Sequence, residues 1–356
     1  MNPSNNLKDC SSIDNILTNL VDGQNLTQVQ AHEFFSQVLQ GNIEPALLAS
    51  ALTALKIKGE TPSEIAGAAM AIRNAATTFP DQENQEQIIV DCVGTGGDGA
   101  NTINISTTAA ILAAACGLKV AKHGNRSVSS MSGSADLLEA FGVNLNMSPA
   151  TAKHCLEEVN LCFLYAPAYH SGFKHAAPVR KAMGIRTLFN ILGPLVNPAK
   201  PNLMLLGVYT PELLKPMAEA LLLTGVKRAF VVHGSGLDEI ALHGETQVIE
   251  IKDGELLAQT LSPQDVGLES YSLEAIKGGT PEENAAIIKQ ILSGKGQTAH
   301  NAAVIINCAA LLYLHGKANN LKAAAQLASE ALDSGKGLAT LEKLVLLSNQ
   351  AIEGGK

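Results

Sequence analysis

Tryptophan is absent from this 356-residue chain, and aromatic residues make up only 4% of it. A surface that stacks unpaired bases needs several aromatic side chains, so we expect no site for single-stranded nucleic acid. Basic residues are also few, since 25 Lys and Arg stand against 33 Asp and Glu, which gives a formal net charge of −8. This acidic balance argues against nucleic acid as the main partner, although it still allows a local basic pocket.

Long apolar runs and a secretion signal are also missing. A membrane helix needs about 18 uninterrupted apolar residues, and the nearest candidate, AAILAAACGLKV, is interrupted by Gly117 and Lys119. The first residues, MNPSNNLKDCSS, are polar and lack the apolar segment of a signal peptide. The six cysteines form no CxxC pair, and several lie in apolar runs, as reduced core thiols do. We therefore expect a cytoplasmic protein that contacts no membrane and has no catalytic or metal-binding cysteine.

The composition, with 46% hydrophobic and 16% charged residues, is that of a globular protein long enough for two domains. Its first part has a helical pattern. QVQAHEFFSQVLQ ends at Gly41, EPALLASALTALKIK ends at Gly59, and TPSEIAGAAMAIRNAA opens with a capping box of Thr61 and Glu64. We therefore predict a small all-helical domain over residues 1–82.

From Gln87 onward, short apolar runs alternate with helical segments. The predicted strands are EQIIVDCV, LKVAKH, LCFLYA, LMLLGVY, RAFVVHG and TQVIEI. The helical segments include TTAAILAAACG, SADLLEAFG, SPATAKHCLEEV and TPELLKPMAEALLLTG, and Pro216 predicts that the last of these is kinked or starts late. Strands that are apolar almost throughout predict a mostly parallel sheet with helices on both faces. Residues 83–356 are thus predicted to form a larger α/β domain, joined to the helical domain by a short polar hinge.

Four glycines fall within six positions, Gly94 to Gly99, directly after the first predicted strand. Successive N–H groups of such a loop form an anion-binding nest, and the start of the following helix adds the positive end of its dipole. Thr102, Ser106 and Thr107 supply hydroxyl groups. The stretch VGTGGDGANTINISTTAA lacks both the Lys-Ser/Thr of a P-loop and the GxGxxG spacing of a dinucleotide fold. It predicts a phosphate site of another kind, and the alternative is a tight turn followed by a Ser/Thr helix cap.

A second loop, AKHGNRSVSSMSGSAD, follows the second predicted strand and carries Lys122, His123 and Arg126 among several hydroxyl groups. Positive side chains at a second strand end of an acidic protein predict a focused anion pocket. His123 fits two roles equally well, one that binds the anion and one in which it is only a neutral hydrogen-bond donor in a fixed position. The alternative for the whole loop is a solvated segment in which Ser132 or Ser134 caps the next helix.

A third loop, VVHGSGLDEIAL, carries the adjacent acids Asp238 and Glu239. Carboxylates are the hard oxygen ligands that Mg²⁺ takes, together with waters and substrate phosphates. Taken alone, the pair is also typical of a helix start. Beside two predicted anion loops, a metal that bridges a diphosphate is the better interpretation.

The motifs GTGGD, NIST, KHGNRxxSSxxGSAD and GLDE stand here in the order of the anthranilate phosphoribosyltransferase family, which the chain resembles from about Leu26 onward. The resemblance implies transfer of a phosphoribosyl group from 5-phospho-α-D-ribose 1-diphosphate, the phosphoribosyl donor, to the amine of anthranilate in tryptophan biosynthesis. It also implies a helical domain hinged to an α/β domain, with residues 174–192 packing back onto the former. A homodimer through the helical domain is implied as well.

Carried over position by position, the resemblance also implies the binding residues. Mg²⁺ is expected at Ser106, Asp238 and Glu239. Anthranilate is expected at Gly94, Asn125 and Arg180, and the Arg180 guanidinium could pair with its carboxylate in a bidentate fork. No general base is assigned, because an aryl amine needs little activation. The site expected for the phosphoribosyl donor consists of Gly94, Gly97, Asp98, Thr102, Asn104, Ile105, Ser106, Thr107, Lys122, His123, Gly124, Asn125, Arg126, Ser127, Val128, Ser129, Ser130 and Ser134.

Two alternative functions share this scaffold. A pyrimidine nucleoside phosphorylase would bind free phosphate and a nucleoside, and it would not need Arg180 or a metal-binding pair at Asp238 and Glu239. A non-catalytic paralogue that binds nucleic acid would show a basic stripe and would have lost the metal ligands. The net charge of −8 and the intact acids oppose the second alternative.

Overall fold

The structure, a computed structural model, describes residues 13–80, 87–127 and 130–350. These residues form two compact units. The first consists of the described residues up to Ala76 together with His170–Val196, and the second consists of Thr77–Tyr169 and the described residues from Asn197 onward. An N-terminal helical unit and a larger unit with a mostly parallel sheet confirm the predicted fold class. The predicted boundary at residue 82 lies outside the described residues and stays a prediction.

The strands and helices are numbered here in chain order. The strands are β1 (Ile89–Gly94), β2 (Lys119–Gly124), β3 (Leu161–Tyr165), β4 (Leu203–Gly207), β5 (Arg228–Gly234), β6 (Thr246–Lys252) and β7 (Glu255–Leu261). The α-helices are α1 (Ile13–Val21), α2 (Gln28–Gln40), α3 (Pro45–Lys58), α4 (Pro62–Asn74), α5 (Ile105–Ala115), α6 (Ser134–Ala140), α7 (Pro149–Val159), α8 (Ala166–Tyr169), α9 (Phe173–Met183), α10 (Phe189–Leu192), α11 (Leu214–Leu223), α12 (Pro281–Leu292), α13 (Thr298–His315), α14 (Leu321–Asp333) and α15 (Lys336–Ser348).

The helical unit is organised by local signals that were visible in the sequence. The predicted capping box at the start of α4 is present, because Thr61 N–H donates to Glu64 Oε2 at 2.8 Å and Glu64 N–H donates to Thr61 Oγ1 at 3.3 Å. Glu64 is fully buried, and its charge is matched by Lys58 at 2.9 Å. In the same unit α9 packs against α2 and α3.

The larger unit is built on a seven-stranded sheet with the order β3-β2-β1-β4-β5-β6-β7. Strands β1 to β5 are parallel, whereas β6 and β7 are antiparallel. The six predicted strands are present. The sequence analysis missed β7, because most of its side chains are exposed and it therefore forms no apolar run. Its signal is the turn at Asp253 and Gly254, both at positive φ, which closes a hairpin with β6.

The helices of this unit explain two features of the sequence. Helix α11 begins at Leu214, so Pro216 lies in its first turn, where the missing N–H costs no helical hydrogen bond; the predicted late start is confirmed. Helices α5 and α13 pack against each other and are buried on almost every side, which accounts for their nearly continuous apolar sequences. Within the described ranges, no helix is both long and apolar enough to cross a membrane.

Four neighbouring parallel strands each end in a glycine at the same edge of the sheet. These are Gly124 of β2, Gly94 of β1, Gly207 of β4 and Gly234 of β5, and Gly94 pairs directly with Gly207. The carboxyl edge of a parallel sheet is where ligands bind in open α/β folds. The row of glycines leaves the backbone there without side chains, so the loops beyond it can fold back over the strand ends.

Candidate functional site

Three loops of the α/β unit meet at this edge, as the sequence analysis predicted. The glycine loop (residues 95–104) leaves β1, the hydroxyl loop (residues 125–133) leaves β2, and the acid loop (residues 235–240) leaves β5. Residues 238 and 239 lie in irregular backbone rather than at a helix start, so the alternative interpretation of the acidic pair is wrong.

The acid loop is bonded to the other strand ends through its two carboxylates. Asp238 Oδ2 accepts a hydrogen bond from Gly96 N–H at 2.6 Å, and Glu239 Oε1 accepts one from Ser106 N–H at 3.0 Å. Ser106 is the second residue of α5, so Glu239 lies at the positive end of the helix dipole. The three residues predicted to hold a metal, Ser106, Asp238 and Glu239, are therefore brought together.

The surroundings of the acidic pair oppose its negative charge. Burial raises the pKa of Asp238, and the charge of Asp98 raises it further. Burial also raises the pKa of Glu239, as does the charge of Asp238, while Lys122 lowers it. A negative charge on a neighbouring residue thus raises the pKa of each acid, and a bound cation would relieve that repulsion.

A cation here would need further ligands. Within the described ranges, no group of three or more His, Cys, Asp or Glu side chains is arranged to hold a metal ion. Magnesium is usually held by one or two carboxylates with waters and substrate phosphates. The residues present therefore fit Mg²⁺ that is bound together with a phosphorylated ligand.

Lys122 lies beneath this group at the end of β2. Its side chain is almost fully buried, and its ammonium donates to the carbonyl oxygen of Cys92 on the neighbouring strand. It acts on Glu239 through its charge. His123, the next residue on the strand, is also buried.

The glycine loop has the backbone conformation that its sequence suggests. Gly96, Gly97 and Gly99 have φ of +72°, +84° and +72°, values that residues with a Cβ rarely adopt. Asn104 is the N-cap of α5, but its side chain does not cap the helix. Instead, its amide bonds Ser132 and Asn284, so the alternative of a Ser/Thr helix cap is wrong.

The hydroxyl loop is tied down by its own polar groups. Its described residues include Ser127, whose hydroxyl bonds Ser130, and Ser134 just beyond it, whose hydroxyl donates to the Asn125 carbonyl at 3.3 Å. The N-cap of α6 is Gly133, so neither serine proposed as a cap serves as one. Val128 and Ser129 lie outside the described residues.

Arg126 has partners that the sequence analysis did not foresee. Its guanidinium bonds Glu139 at 2.6 and 2.8 Å and Asp136 at 3.1 Å, and lies 5.8 Å from the centre of the Tyr165 ring. Both carboxylates belong to α6, so an anion that binds Arg126 must compete with them. The role of Arg126 in donor binding stays a prediction.

Arg180 lies on α9, in the helical unit. Its guanidinium lies over the Phe189 ring, 5.1 Å from the ring centre, and burial lowers the pKa of Arg180. Among the described residues, no carboxylate forms an ion pair with it. A half-buried guanidinium of this kind can accept the carboxylate of a ligand.

Sequence reasoning missed several residues that hold the loops in place. A Cβ on Gly207 would lie 1.6 Å from the backbone oxygen of Asp238, so only glycine lets the acid loop cross β4. Asn284 on α12 links Gly279 N–H to the Asn104 amide. Asp91 and Asn197 are fully buried and bond each other at 2.8 Å. The only signal in the sequence is the presence of polar residues or glycine within apolar surroundings.

Comparison with known proteins places the chain in a family. Residues 14–76 match the helical bundle domain of the glycosyl transferase family, and residues 86–338 match its a/b domain. Anthranilate phosphoribosyltransferase from Colwellia psychrerythraea (strain 34H) is 78% identical over 342 residues, which cover 96% of this chain and 93% of the relative. The chain belongs to the glycosyl transferase family and, within it, to the anthranilate phosphoribosyltransferases.

Solved structures agree with this assignment. The crystal structure of anthranilate phosphoribosyltransferase from Thermus thermophilus is 43% identical, with a TM-score of 0.89 over 94% of this chain and 99% of that one. The enzyme from Saccharomyces cerevisiae, in complex with PRPP and Mg, is 32% identical, with a TM-score of 0.86 over 96% and 98% of the two chains. A further structure of the yeast enzyme contains 4-fluoroanthranilate. The predicted family and enzyme class are confirmed, which favours them over the two alternatives.

Gly207→Ala should disable the site while leaving the sheet intact. The new methyl group would overlap the Asp238 backbone, so the acid loop must move away from Gly96 and Ser106. We expect kcat/KM for the phosphoribosyl donor to fall at least about 100-fold, as for loss of well-oriented catalytic groups. Steady-state kinetics and circular dichroism measure the two effects.

Gly193→Ala is the matched control for this change. A Cβ there meets no atom within 4 Å, and Gly193 has an ordinary helical φ of −45°. The control should retain the activity of the unmodified protein. Full activity in a folded Gly207→Ala variant would show that the close approach of the acid loop is unnecessary.

Proposed function

We propose that this chain transfers the phosphoribosyl group of 5-phospho-α-D-ribose 1-diphosphate to the amine of anthranilate, giving N-(5-phosphoribosyl)anthranilate and diphosphate in tryptophan biosynthesis. The observation that carries the proposal is the meeting of Asp238 and Glu239 with Gly96 and the start of α5. This arrangement sets cation ligands beside an anion-binding nest. Such a combination suits a diphosphate leaving group.

Mg²⁺ is proposed as the cofactor, with Asp238, Glu239 and Ser106 as its protein ligands. The raised pKa values of Asp238 and Glu239 support this, because a cation would stabilise the charged carboxylates, and a structure of the yeast relative contains PRPP and Mg. When bound, the ion would neutralise charge on the leaving diphosphate. Its remaining ligands would come from the phosphoribosyl donor and from water.

The protein's own groups account for the rest of the chemistry. As the anthranilate amine attacks C1 of the ribose, negative charge shifts to the departing diphosphate oxygens. The N–H groups of the glycine loop and the Lys122 ammonium are proposed to stabilise that charge, with little reorganisation because Lys122 is already fixed by Cys92. The aryl amine can lose its proton late, so no general base is assigned.

Arg180 is proposed to bind the carboxylate of anthranilate. Its guanidinium contacts the Phe189 ring, and among the described residues no acid competes for it. The planar guanidinium is suited to bidentate recognition of a carboxylate. Gly94 and Asn125 complete the anthranilate residues proposed from the family resemblance.

The catalytic proposal is tested by following anthranilate fluorescence after mixing the protein with the phosphoribosyl donor and Mg²⁺. We expect fluorescence to fall with time, and EDTA to stop the loss by removing the cation. The sample without protein is the control. If anthranilate fluorescence does not fall at micromolar protein, the proposed activity is rejected. If it falls equally fast in EDTA, only the proposed role of Mg²⁺ is rejected.

The two proposed pockets can be separated by substitution. Arg180→Ala should raise the KM for anthranilate by about tenfold to a hundredfold, since a charge-assisted hydrogen bond contributes roughly 1.5–3 kcal/mol. Lys122→Gln should instead raise the KM for the phosphoribosyl donor. Initial rates at varied concentrations of each substrate measure both constants.

Neighbouring residues provide the matched controls. Lys181→Ala removes an exposed cation from α9, and Lys119→Ala removes a lysine of β2 that bonds the carbonyls of Leu156 and Glu157. Both should leave the two KM values close to those of the unmodified protein. Equal effects of Arg180→Ala and Lys122→Gln on both substrates would show that the pockets are wrongly assigned.

We also propose a cytoplasmic homodimer that forms through the helical unit. Three strongly exposed apolar side chains of this unit support an interface, since Val21, Val29 and Ile57 are 69%, 74% and 82% exposed. Ile57→Lys should shift the sedimentation coefficient from dimer toward monomer. Leu257→Lys, on the exposed strand β7 of the other unit, is the control and should remain dimeric. A monomeric unmodified protein would reject the dimer.

A further inference from the structure

One asparagine interrupts the longest apolar run of helix α13. Asn307 lies in the run VIINCAALL, and it is fully buried. A primary amide carries two N–H donors and an acceptor oxygen, and burying them without partners costs free energy. An asparagine at this position therefore needs specific partners, and the structure shows what they are.

The partners of Asn307 lie in the acid loop and on its own helix. Its Oδ1 accepts from Ile240 N–H at 3.1 Å, and its Nδ2 donates to the Ile240 carbonyl at 3.3 Å and to the Ala303 carbonyl at 2.9 Å. The Ile240 N–H needs an acceptor and its carbonyl needs a donor, so these bonds fix the orientation of the amide. One side chain thus bonds both the N–H and the carbonyl group of Ile240, as the backbone of a neighbouring strand would.

Ile240 directly follows Glu239, so the amide clamps the chain at the end of the acidic pair. Asp238 and Glu239 accept hydrogen bonds from Gly96 N–H and Ser106 N–H, which belong to other segments of the chain. The backbone that carries the two carboxylates must therefore be held in place for both bonds to form. Asn307 is held in turn by α13, which packs against β4, β5 and α5.

We infer that Asn307 is a positioning residue for Asp238 and Glu239, and thereby sets the affinity of the site for a divalent cation. This inference rests on the proposed function, which places Mg²⁺ at these acids. Asn307 itself touches neither substrate nor metal; it acts through the Ile240 backbone. Residues that orient metal ligands in this way typically change metal affinity by about 10- to 100-fold when they are replaced.

The test measures cation binding rather than turnover. Mn²⁺ replaces Mg²⁺, the phosphoribosyl donor is present and anthranilate is left out, and the electron paramagnetic resonance signal of free Mn²⁺ gives the dissociation constant. Asn307→Ala should weaken Mn²⁺ binding at least about tenfold. In steady-state assays the KM for Mg²⁺ should rise in parallel, while the KM for anthranilate changes less than about threefold.

Two further variants complete the design. Asn301→Ala, the matched control, removes an α13 asparagine that bonds the Gly296 carbonyl at 3.2 Å, away from the acid loop. It should leave the Mn²⁺ affinity unchanged. Asn307→Asp keeps an oxygen for Ile240 N–H but loses the amide donors, so it should give an intermediate affinity. If Asn307→Ala does not fold, the Mn²⁺ affinity of Asn307→Asp tests whether Asn307 positions the acidic pair.

The outcomes separate this inference from the proposed function. Unchanged Mn²⁺ affinity in a folded Asn307 variant would overturn the positioning role and leave the proposed activity intact. Equal losses for Mn²⁺ and anthranilate, or an equal loss in Asn301→Ala, would also overturn it, because they would indicate general disruption. If the unmodified protein binds no Mn²⁺ beside the phosphoribosyl donor, the proposed metal site fails and the inference fails with it.

Discussion

The α/β unit depends on one constraint, a pair of adjacent carboxylates at the ends of its parallel strands, of which Asp238 is buried and Glu239 half-buried. Burial raises the pKa of both carboxyl groups, and a neighbouring charge raises it further, that of Asp98 at Asp238 and that of Asp238 at Glu239. The fold offsets this with N–H groups from Gly96 and Ser106 and with one lysine, Lys122. Gly96 and Ser106 come from the segment that follows β1, and Lys122 comes from β2, so the acids of the loop after β5 can be accommodated only when these three strands share one sheet.

The row of glycines at the strand ends is explained by the same acidic pair and the loop that carries it. Side chains at Gly94 or Gly207 would occupy the space of Asp238, and one at Gly234 would meet the backbone oxygen of Glu239. A sheet edge without these glycines would keep the acid loop away from β1 and α5. Glycine costs conformational entropy on folding, and here that cost permits close contact between three segments that are distant in sequence. These strand-end glycines are thus needed for segments of the protein to pack closely on one another, in addition to the proposed contact with phosphate.

Features that depend on neighbouring residues could be predicted from the sequence, whereas contacts between distant residues could not. The late start of α11 at Leu214 is determined within one helical turn, and the three loops of the site follow from the shared carboxyl edge of parallel strands. Strand β7 was missed because hydrophobic periodicity detects only buried faces. Asn307 bonds a residue 67 positions away, and Arg126 meets Asp136 and Glu139 only when α6 forms, so neither pairing leaves a local pattern.

The protein's net charge of −8 agrees with this arrangement of the site. A chain with few basic residues can bind a diphosphate if fixed dipoles and a cation supply the positive potential, since both act at short range where the dielectric is low. On the proposed function, the acids alone are too few to complete a magnesium shell, so cation and phosphoribosyl donor must each strengthen the binding of the other. Such reciprocal binding keeps the free site weak for metal, because the ion's remaining ligands arrive only with the substrate.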